Sequence, residues 1–219
     1  MGIVLKRRDN APIVKVIFGG IIDSIMAEKK IGPSIKFLRK TLKLLIAGKY
    51  GLESLIISKT LSSFYKDPDR IAHKVLADRI AERDPGNAPQ INDRIPFVYI
   101  TVKNDRKGML QGDKIEDPKY IKKHNLTPDY EFYITNQIMK PVCQIYALCL
   151  EDIPNYRGKS TEQWLKMERD LVSKGKTEIV AKKIILEKKA KVAGNLLFGD
   201  ILRSLENKRV GNNEITKWF

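Results

Sequence analysis

The sequence predicts a mainly α-helical fold with a small β element, an α+β architecture. Isoleucines recur every four residues from Ile13 to Ile25, and apolar residues recur at helical spacing from Ile35 to Ile46. Such a period is typical of a helix with one buried face. Short β-branched stretches near 53–58 and 95–102 are better suited to strands. The chain has 219 residues, 42% of them hydrophobic, which is enough for a hydrophobic core. Its length suits one ordinary domain with an extension, or two small domains.

The N-terminal segment combines a strand-like apolar run, Gly2 to Leu5, with three consecutive cations and then Asp9. Side-chain alternation in a strand would point Arg7 away from Lys6 and Arg8. One of the three cations could therefore pair with Asp9, while the others require an external anion such as phosphate.

Two helices are expected next. Asn10 can cap the first, with Pro12 in its opening turn. A glycine inside a helix costs about 1 kcal/mol relative to alanine, so Gly19-Gly20 indicates close packing against another backbone or a kink. The second helix begins near Pro33 and ends at Gly48. Its polar face carries four cations: Lys36, Arg39, Lys40 and Lys43.

The middle of the chain alternates between short strands and one helix. The extended stretch at 53–58 leaves Lys59 at the start of the next turn or helix. A helix is expected from about Asp69 to Arg83, because Asp84-Pro85-Gly86 follows it. The next strand, Ile95 to Val102, contains Pro96, which restricts it to an edge or a strand start.

The C-terminal part reads as helical. Pro141 should kink or interrupt a helical stretch between Pro128 and Leu150. A linker at 155–160 leads to a Lys-rich region, 162–207, for which we expect two or three helices separated at Gly175 and Gly194.

Composition narrows the function classes. The chain has 41 Lys and Arg against 26 Asp and Glu, a net charge of +15, which favours a polyanionic partner over a merely solvated surface. Cys143 and Cys149 are six residues apart, which suits two buried thiols rather than a disulfide or a metal pair. The sequence contains no membrane-length apolar stretch and no signal-peptide core, so a soluble, intracellular protein without a membrane partner is expected.

Several sequence blocks occur in an order and spacing that resemble the thumb of family B DNA polymerases, in wording closest to polymerases of large DNA viruses. The resemblance covers about residues 1 to 150. Its blocks are Gly2 to Pro12, Leu55 to Leu61, Ile71 to Arg79, Asp84 to Pro89, Asp93 to Val98, Ile115 to Pro118 and Tyr130 to Pro141.

The resemblance implies a division of the chain into a palm–thumb junction at 1–12, a thumb-like helical domain at 13–150, a Lys-rich helical extension at 151–206 and a tail at 207–219. The palm motifs Asp-x-x-Ser-Leu-Tyr-Pro and Tyr-Gly-Asp-Thr-Asp-Ser do not occur in the sequence. The nucleotide-binding motif Lys-x-x-x-Asn-Ser-x-Tyr-Gly is also missing. No cofactor is therefore expected on this chain; the catalytic Mg²⁺ would lie in a palm elsewhere. The chain alone is expected to be inactive, as a fragment or a split-gene product.

The resemblance also implies which cations face duplex DNA. Phosphate contacts should dominate, because a polymerase must bind any sequence. A structural role is an open alternative for several of them, notably Arg94 beside Asp93, and His73 is not expected to act as a base. The predicted DNA-binding residues are Lys6, Arg7, Arg8, Lys59, Lys74, Arg79, Arg83 and Arg94.

The final residues resemble the peptide with which polymerases dock on a sliding clamp. An aliphatic residue, two spacers and two aromatics can form one helical turn that fits an apolar pocket. The alternative is that the aromatics pack back on the chain. The predicted clamp-binding residues are Asn212, Ile215, Trp218 and Phe219, with Asn212 where the motif prefers glutamine.

The expected function is thus the part of a replicative DNA polymerase that grips primer-template duplex DNA, in the nucleus or in a cytoplasmic virus factory. The expected partners are that duplex, the remaining palm, fingers and exonuclease of the polymerase, and a sliding clamp. Two alternatives stay open: a stand-alone basic nucleic-acid-binding accessory protein, or chiefly a clamp tether.

Overall fold

The computed structural model describes residues 3–102 and 108–210. It confirms a mainly α-helical fold with one small sheet. The described helices are α1 (Ile3–Lys6), α2 (Pro12–Glu28), α3 (Ile31–Ile46), α4 (Ala72–Arg83), α5 (Pro118–His124), α6 (Tyr130–Phe132), α7 (Met139–Tyr146), α8 (Thr161–Ser173) and α9 (Glu178–Val210). The strands are β1 (Ile57–Thr60), β2 (Arg94–Tyr99) and β3 (Ile115–Glu116).

The chain packs into two compact units, each built from two stretches of sequence. Unit 1 comprises residues 1–16 and 44–133, and unit 2 comprises residues 17–43 and 134–219. The chain passes from one unit to the other within α2, within α3 and at the start of a π-helix, Tyr133–Ile138. The domain limits drawn from the sequence stay predictions.

Unit 1 is organised around the antiparallel sheet, in the strand order β1-β2-β3. Residues 57–60 of β1 pair with the first part of β2, so that Lys59 faces Ile95 and Ser58 faces Pro96. Strand β3 pairs only with Val98 and Tyr99. At Pro96, β2 therefore has a strand partner on one side only, which is how a residue without an N–H group fits into a middle strand.

Tyr133 ties the sheet of unit 1 to the segment before β1. Its hydroxyl donates to the Leu55 carbonyl oxygen at 2.7 Å and accepts from the Tyr99 backbone N–H at 3.1 Å. The side chain is fully buried, and this burial raises the pKa of Tyr133. Both hydrogen bonds replace water for a polar group in the core. The surrounding apolar core includes Leu55, Ile57, Leu76, Ile95, Val98 and Ile115.

In unit 2, the facing parts of α2 and α3 pack closely. A Cβ atom added at Gly20 would lie 2.3 Å from Cζ of Phe37, so only glycine leaves room for that ring. The Ser34 and Tyr146 hydroxyls share a buried hydrogen bond of 2.8 Å, and burial raises the pKa of Tyr146 to about 12. Gly20 thus permits close packing, but against an aromatic side chain and not against the backbone that the glycine pair predicted.

Helices α7, α8 and α9 complete unit 2. Ser160 and Gln163 form a reciprocal capping box at the start of α8, which satisfies N–H groups that the first helical turn leaves free. Gly175 has a φ of +84°, a left-handed conformation that ends the turn after α8 as predicted. Trp164 is buried, and its indole N–H donates to the Tyr156 hydroxyl at 3.3 Å.

Several local predictions were wrong. Residues 3–6 form the short helix α1 rather than a strand, and the Asn10 amide donates to the Val4 carbonyl at 3.4 Å. A 3₁₀-helix at Leu52–Leu55 replaces the first half of the strand predicted at 53–58, which places Lys59 inside β1. The helix expected from Asp69 begins only at Ala72, after a 3₁₀ turn at Pro68–Arg70.

Two further predictions need correction in the C-terminal part. The interruption assigned to Pro141 lies before it, in the π-helix. Pro141 has no N–H group, so it cannot donate a hydrogen bond to the carbonyl four residues back. The wider turns of the π-helix lie just before it. Gly194 does not separate two helices but lies inside α9; a Cβ there would lie 3.3 Å from the Cys143 Sγ atom. It therefore permits close helix packing.

Neither cysteine forms a disulfide: Cys143 is buried and Cys149 is partly buried. Burial raises the pKa of Cys143 to about 12, so this thiol stays protonated at neutral pH. Across the described ranges, none of the helices combines the length and apolar composition that crossing a membrane requires.

Candidate nucleic-acid interface

Five of the predicted DNA-binding residues belong to two neighbouring parts of unit 1: the end of α1 with the segment after it, and the paired strands β1 and β2. Arg94 joins these parts. Its Nη2 atom donates to the Ser58 carbonyl at 2.8 Å and, at the limit of hydrogen bonding, to the Arg8 carbonyl at 3.5 Å. Its Nε and Nη2 atoms also donate to the Ser58 hydroxyl. We call Lys6, Arg7, Arg8, Lys59 and Arg94 the basic cluster.

Asp9 is the anion inside the basic cluster. It accepts two hydrogen bonds from the Arg7 guanidinium, at 2.8 and 2.6 Å, and one from Lys59 Nζ at 3.0 Å. These cations, Arg7 foremost, hold the pKa of Asp9 far below its ordinary value. One carboxylate thus orients two of the five cations, as the sequence allowed for one of the triplet, and the cluster keeps a clear excess of positive charge.

Lys6, Arg7 and Arg8 are all exposed, but only Arg7 pairs with an acid. In the described part of the chain, no carboxylate lies within ion-pair distance of Lys6 or Arg8. The Arg8 backbone is nevertheless tied to Arg94, which limits where its side chain can reach. An arginine offers a fork of donors that matches two phosphate oxygens, whereas a lysine acts as a point charge. Both cations are therefore available for an external anion.

The cations of α4 are arranged differently. Arg83 donates two hydrogen bonds of 3.0 Å to the carboxylate of Glu116. Glu116 is buried, with 4% of its surface exposed. Arg79 donates to the same carboxylate at 3.3 Å and to the Gly112 carbonyl at 2.9 Å. The Arg83 guanidinium also lies 3.8 Å from the centre of the Tyr120 ring. Both arginines thus have a structural role; contact with DNA stays a prediction.

Lys74, on the same helix, forms an ion pair with Asp78 one turn later. Such exposed pairs contribute little to stability, about 0.3–0.5 kcal/mol, so Lys74 can exchange this partner for another anion. The structure does not join Lys74 to the basic cluster through any described ion pair. DNA contact by Lys74 stays a prediction as well.

A Tyr65–His73 pair was missed from the sequence. The Tyr65 hydroxyl lies 3.0 Å from His73 Nε2 and accepts from the Ser62 N–H at 2.7 Å. Desolvation, and next the charge of Lys59, lower the pKa of His73, which is therefore neutral at pH 7. The sequence separation of eight residues gave no signal of this contact. A neutral His73 fits its expected non-catalytic role.

The aromatic residues of β2 are not free to stack on bases. Phe97 is 4% exposed, and the Tyr99 ring stacks on Phe132 with centroids 3.4 Å apart. Both rings therefore pack inside unit 1. Contacts of the basic cluster would reach the sugar-phosphate backbone rather than the bases.

The described residues offer no ligand set for the Mg²⁺ ions that family B catalysis implies, since no three His, Cys, Asp or Glu side chains among them come together. The two acids of greatest interest, Asp9 and Glu116, are each occupied by cations. The predicted clamp-binding residues Asn212, Ile215, Trp218 and Phe219 lie outside the described residues. Clamp binding stays a sequence prediction.

The sequence also matches a known family. The model of DNA polymerase family B aligns with residues 1–149, which include the whole basic cluster and α4. This chain belongs to DNA polymerase family B. The resemblance to family B is confirmed, whereas the assignment to the thumb stays a prediction. The match ends close to residue 151, where the Lys-rich extension was expected to begin.

Individual relatives agree with the family. The chain is 50% identical over 223 aligned residues to the DNA polymerase of Pyramimonas orientalis virus, an alignment that covers all of this chain and 18% of that protein. It is 55% identical over 164 residues to the DNA polymerase of Acanthamoeba polyphaga mimivirus, covering 73% of this chain and 9% of the relative. The DNA polymerase delta catalytic subunit of Caenorhabditis elegans is 33% identical over 152 residues, covering 69% and 14%.

The chain therefore spans less than a fifth of the length of these curated relatives. Among solved structures, the family B DNA polymerase of Pyrobaculum calidifontis is similar in fold, with a TM-score of 0.50 and 18% sequence identity. That alignment covers 69% of this chain and 18% of the archaeal one.

Proposed function

We propose that this chain is the thumb and C-terminal part of a replicative family B DNA polymerase and grips primer-template duplex DNA by its phosphate backbone. The observation that carries the proposal is the basic cluster. Its five cations lie in the family-matched part of the chain, and a single carboxylate, Asp9, opposes them. The exposed Lys6 and Arg8 side chains supply charge that no described residue neutralises.

Such a surface binds without reading sequence. Each phosphate that a cation neutralises releases a counterion, so the logarithm of the affinity falls with the logarithm of salt concentration, with a slope of about −0.9 per contact. The hydrogen bonds from Arg94 to the Ser58 and Arg8 carbonyls hold the backbone that carries these cations in place before DNA binds. Binding then loses less conformational freedom.

In this proposal catalysis belongs to a palm outside this chain. Palm carboxylates would hold the catalytic Mg²⁺, while the thumb keeps the duplex in place between additions of nucleotides. A chain that binds DNA without catalysing the reaction is consistent with the contacts described above, because the Asp9 and Glu116 carboxylates bind cations of the chain itself. A primer-extension assay of the chain alone with Mg²⁺ should give no product; extension would overturn this part of the proposal.

The test of the grip is a salt titration of the full chain on a labelled duplex of about 30 base pairs with a recessed primer end. The variant Lys6→Gln with Arg8→Gln should weaken binding and make the salt slope shallower by about 1.8, two contacts' worth. The control, Lys119→Gln with Lys123→Gln, removes the same charge from exposed positions of α5 in the same unit. Equal slopes for the two variants would contradict the proposal.

A further inference from the structure

Helix α3 has one fully buried face and one basic face. Its apolar residues Ile35, Leu38, Leu42 and Leu45 are at most 4% exposed. Lys36, Arg39 and Lys40 project from the opposite side and are all exposed. Because they are three and four residues apart, they lie side by side on the helix surface. We call these three residues the α3 stripe; they belong to unit 2.

No described ion pair neutralises a residue of the α3 stripe. Helix α3 contains no Asp or Glu. None of the described ion pairs involves Lys36, Arg39 or Lys40. Like charges three or four residues apart repel one another on a helix. The stripe is therefore a self-repelling surface that an external anion would relieve.

The helix start adds to this positive field. The exposed lysines Lys29 and Lys30 directly precede α3. The amino end of a helix itself carries a partial positive charge, so cations at this end are unfavourable unless an anion is bound nearby. Five cations from Lys29 to Lys40 thus stand against no acid in the same segment.

Helix α9 of the same unit shows what an ordinary charged face looks like. It also carries exposed lysines, but an acid lies one helical turn from several of them: Glu178 is four residues before Lys182, and Glu187 lies four residues from both Lys183 and Lys191. Opposite charges at this spacing stabilise a solvated helix. The absence of such acids from α3 is a property of that helix and not of unit 2 as a whole.

We propose that the α3 stripe is a second nucleic-acid-binding site, separable from the basic cluster of unit 1, which takes the phosphate backbone without reading sequence. The three cations span about 6 Å along the helix axis, a span suited to one or two neighbouring phosphates. Helix α3 has no Asn or Gln, the side chains that pair with adenine edges. The choice of nucleic acid as the polyanion rests on the proposed function, whereas the unbalanced charge does not.

The test compares two triple variants of the full chain in the same salt titration. Lys36→Gln, Arg39→Gln and Lys40→Gln remove the stripe and keep good helix formers in place. Lys182→Gln, Lys183→Gln and Lys191→Gln remove equal charge from exposed positions of α9. The stripe variant should make the salt slope shallower by up to about 2.7 and weaken binding at least tenfold at low salt. The α9 variant should stay within about twofold of the unchanged chain.

Each outcome is decisive. Equal slopes for the two triple variants would overturn the second site and leave the grip by the basic cluster standing, provided that the Lys6 and Arg8 variant is weakened. If the unchanged chain shows no salt-dependent binding, both proposals fail. Competition by polyglutamate as strong as by DNA would overturn the assignment to nucleic acid. Duplex and single-stranded 30-mers, run side by side, identify which form the stripe binds.

The folded state of the variants is checked by far-UV circular dichroism. If the triple stripe variant loses helix, the single substitution Lys40→Glu takes its place, because it reverses one charge and relieves repulsion within α3. That variant should bind duplex DNA several-fold more weakly than the unchanged chain, although its helix is no less stable. Unchanged binding by a folded Lys40→Glu variant would overturn the second site.

Discussion

The two compact units carry their positive charge in different ways. Unit 1 has 19 basic and 14 acidic residues, a net charge of +5, whereas unit 2 has 22 basic and 12 acidic residues, a net charge of +10. In unit 1, acids are built into the basic regions: Asp9 holds Arg7 and Lys59, and Glu116 holds Arg79 and Arg83. In unit 2, the α3 stripe has no such acid.

The difference teaches that the density of basic residues does not by itself locate a phosphate-binding surface. Arg79 and Arg83 looked as suitable as Arg8 in the sequence, yet a buried carboxylate occupies both. The informative quantity is the number of cations that stay exposed once the acids of the chain have formed their ion pairs. By that measure Lys6 and Arg8 in unit 1, and the α3 stripe in unit 2, remain available to an external anion.

The largest expected effect comes from breaking the internal pairing of unit 1. Glu116→Gln removes the ion-pair partner of Arg83 and leaves Arg79 only Asp113, at 3.9 Å. Loss of one partner from a buried pair costs about 3–5 kcal/mol. Because Arg83 is partly exposed, we expect about 2–3 kcal/mol less free energy of unfolding, measured by urea denaturation. The control Glu53→Gln, in the exposed pair with Lys122, should cost under about 0.5 kcal/mol. Equal losses would contradict a structural role for Glu116.

The next effect tests whether unit 2 depends on apolar packing instead. Gly20→Ala gains about 1 kcal/mol of helix propensity but drives a methyl group into the Phe37 ring, and such overpacking costs about 1–3 kcal/mol. We expect a net loss, seen as faster amide hydrogen exchange in α2 and α3. Gly199→Ala, in α9, meets nothing within 4 Å and should stabilise the chain. A stabilising Gly20→Ala would show that Phe37 moves aside freely.

A smaller effect sharpens the contrast in charge. Lys40→Glu turns a repulsive i,i+4 pair with Lys36 into an attractive one and should raise the free energy of unfolding by about 0.4–1 kcal/mol. Lys40→Gln, which only removes the repulsion, should give about half of that gain. Thermal unfolding of both variants is measured at low and high salt, because salt screens interactions between charges and should reduce both gains. No stabilisation at low salt would mean that the stripe is already neutralised within the chain.

The smallest effect concerns pH in unit 1. His73 has a folded-state pKa below its unfolded value, so as pH falls the unfolded chain takes up this proton first. The free energy of unfolding should therefore decrease as pH falls through the unfolded value near 6.5, and level off below the folded pKa. His73→Gln should remove this part of the pH dependence between pH 7 and pH 5. If the stability of the His73→Gln variant depends on pH as before, other groups cause the pH dependence.

The sequence predicted the large helices well because a single period governs them. The isoleucine spacing of α2 and the Leu38, Leu42 and Leu45 spacing of α3 record directly which face is buried. Local boundaries failed where tertiary contacts outweigh local preference: the β-branched residues of α1 form a helix, and Gly194 sits inside α9 against Cys143. Periodicity contains no information about such contacts.

The candidate site was predictable only in part. Adjacent charges revealed that Asp9 could hold one residue of the triplet, and the structure shows Arg7 in that role. The partners of Arg79, Arg83 and Lys59 lie 33 to 50 residues away along the chain, so no local pattern could reveal them. The family resemblance located the basic segments without distinguishing paired cations from exposed ones.

The interleaving of the two units has a consequence for how the chain matures. Because unit 1 combines residues 1–16 with residues 44–133, it cannot close on a ribosome until Tyr133 has been made. Only then can the Tyr133 hydroxyl reach Leu55 and Tyr99. No single peptide cleavage separates the units, since both α2 and α3 pass between them. Isolating either unit therefore requires joining its two stretches directly, residue 16 to residue 44 or residue 43 to residue 134.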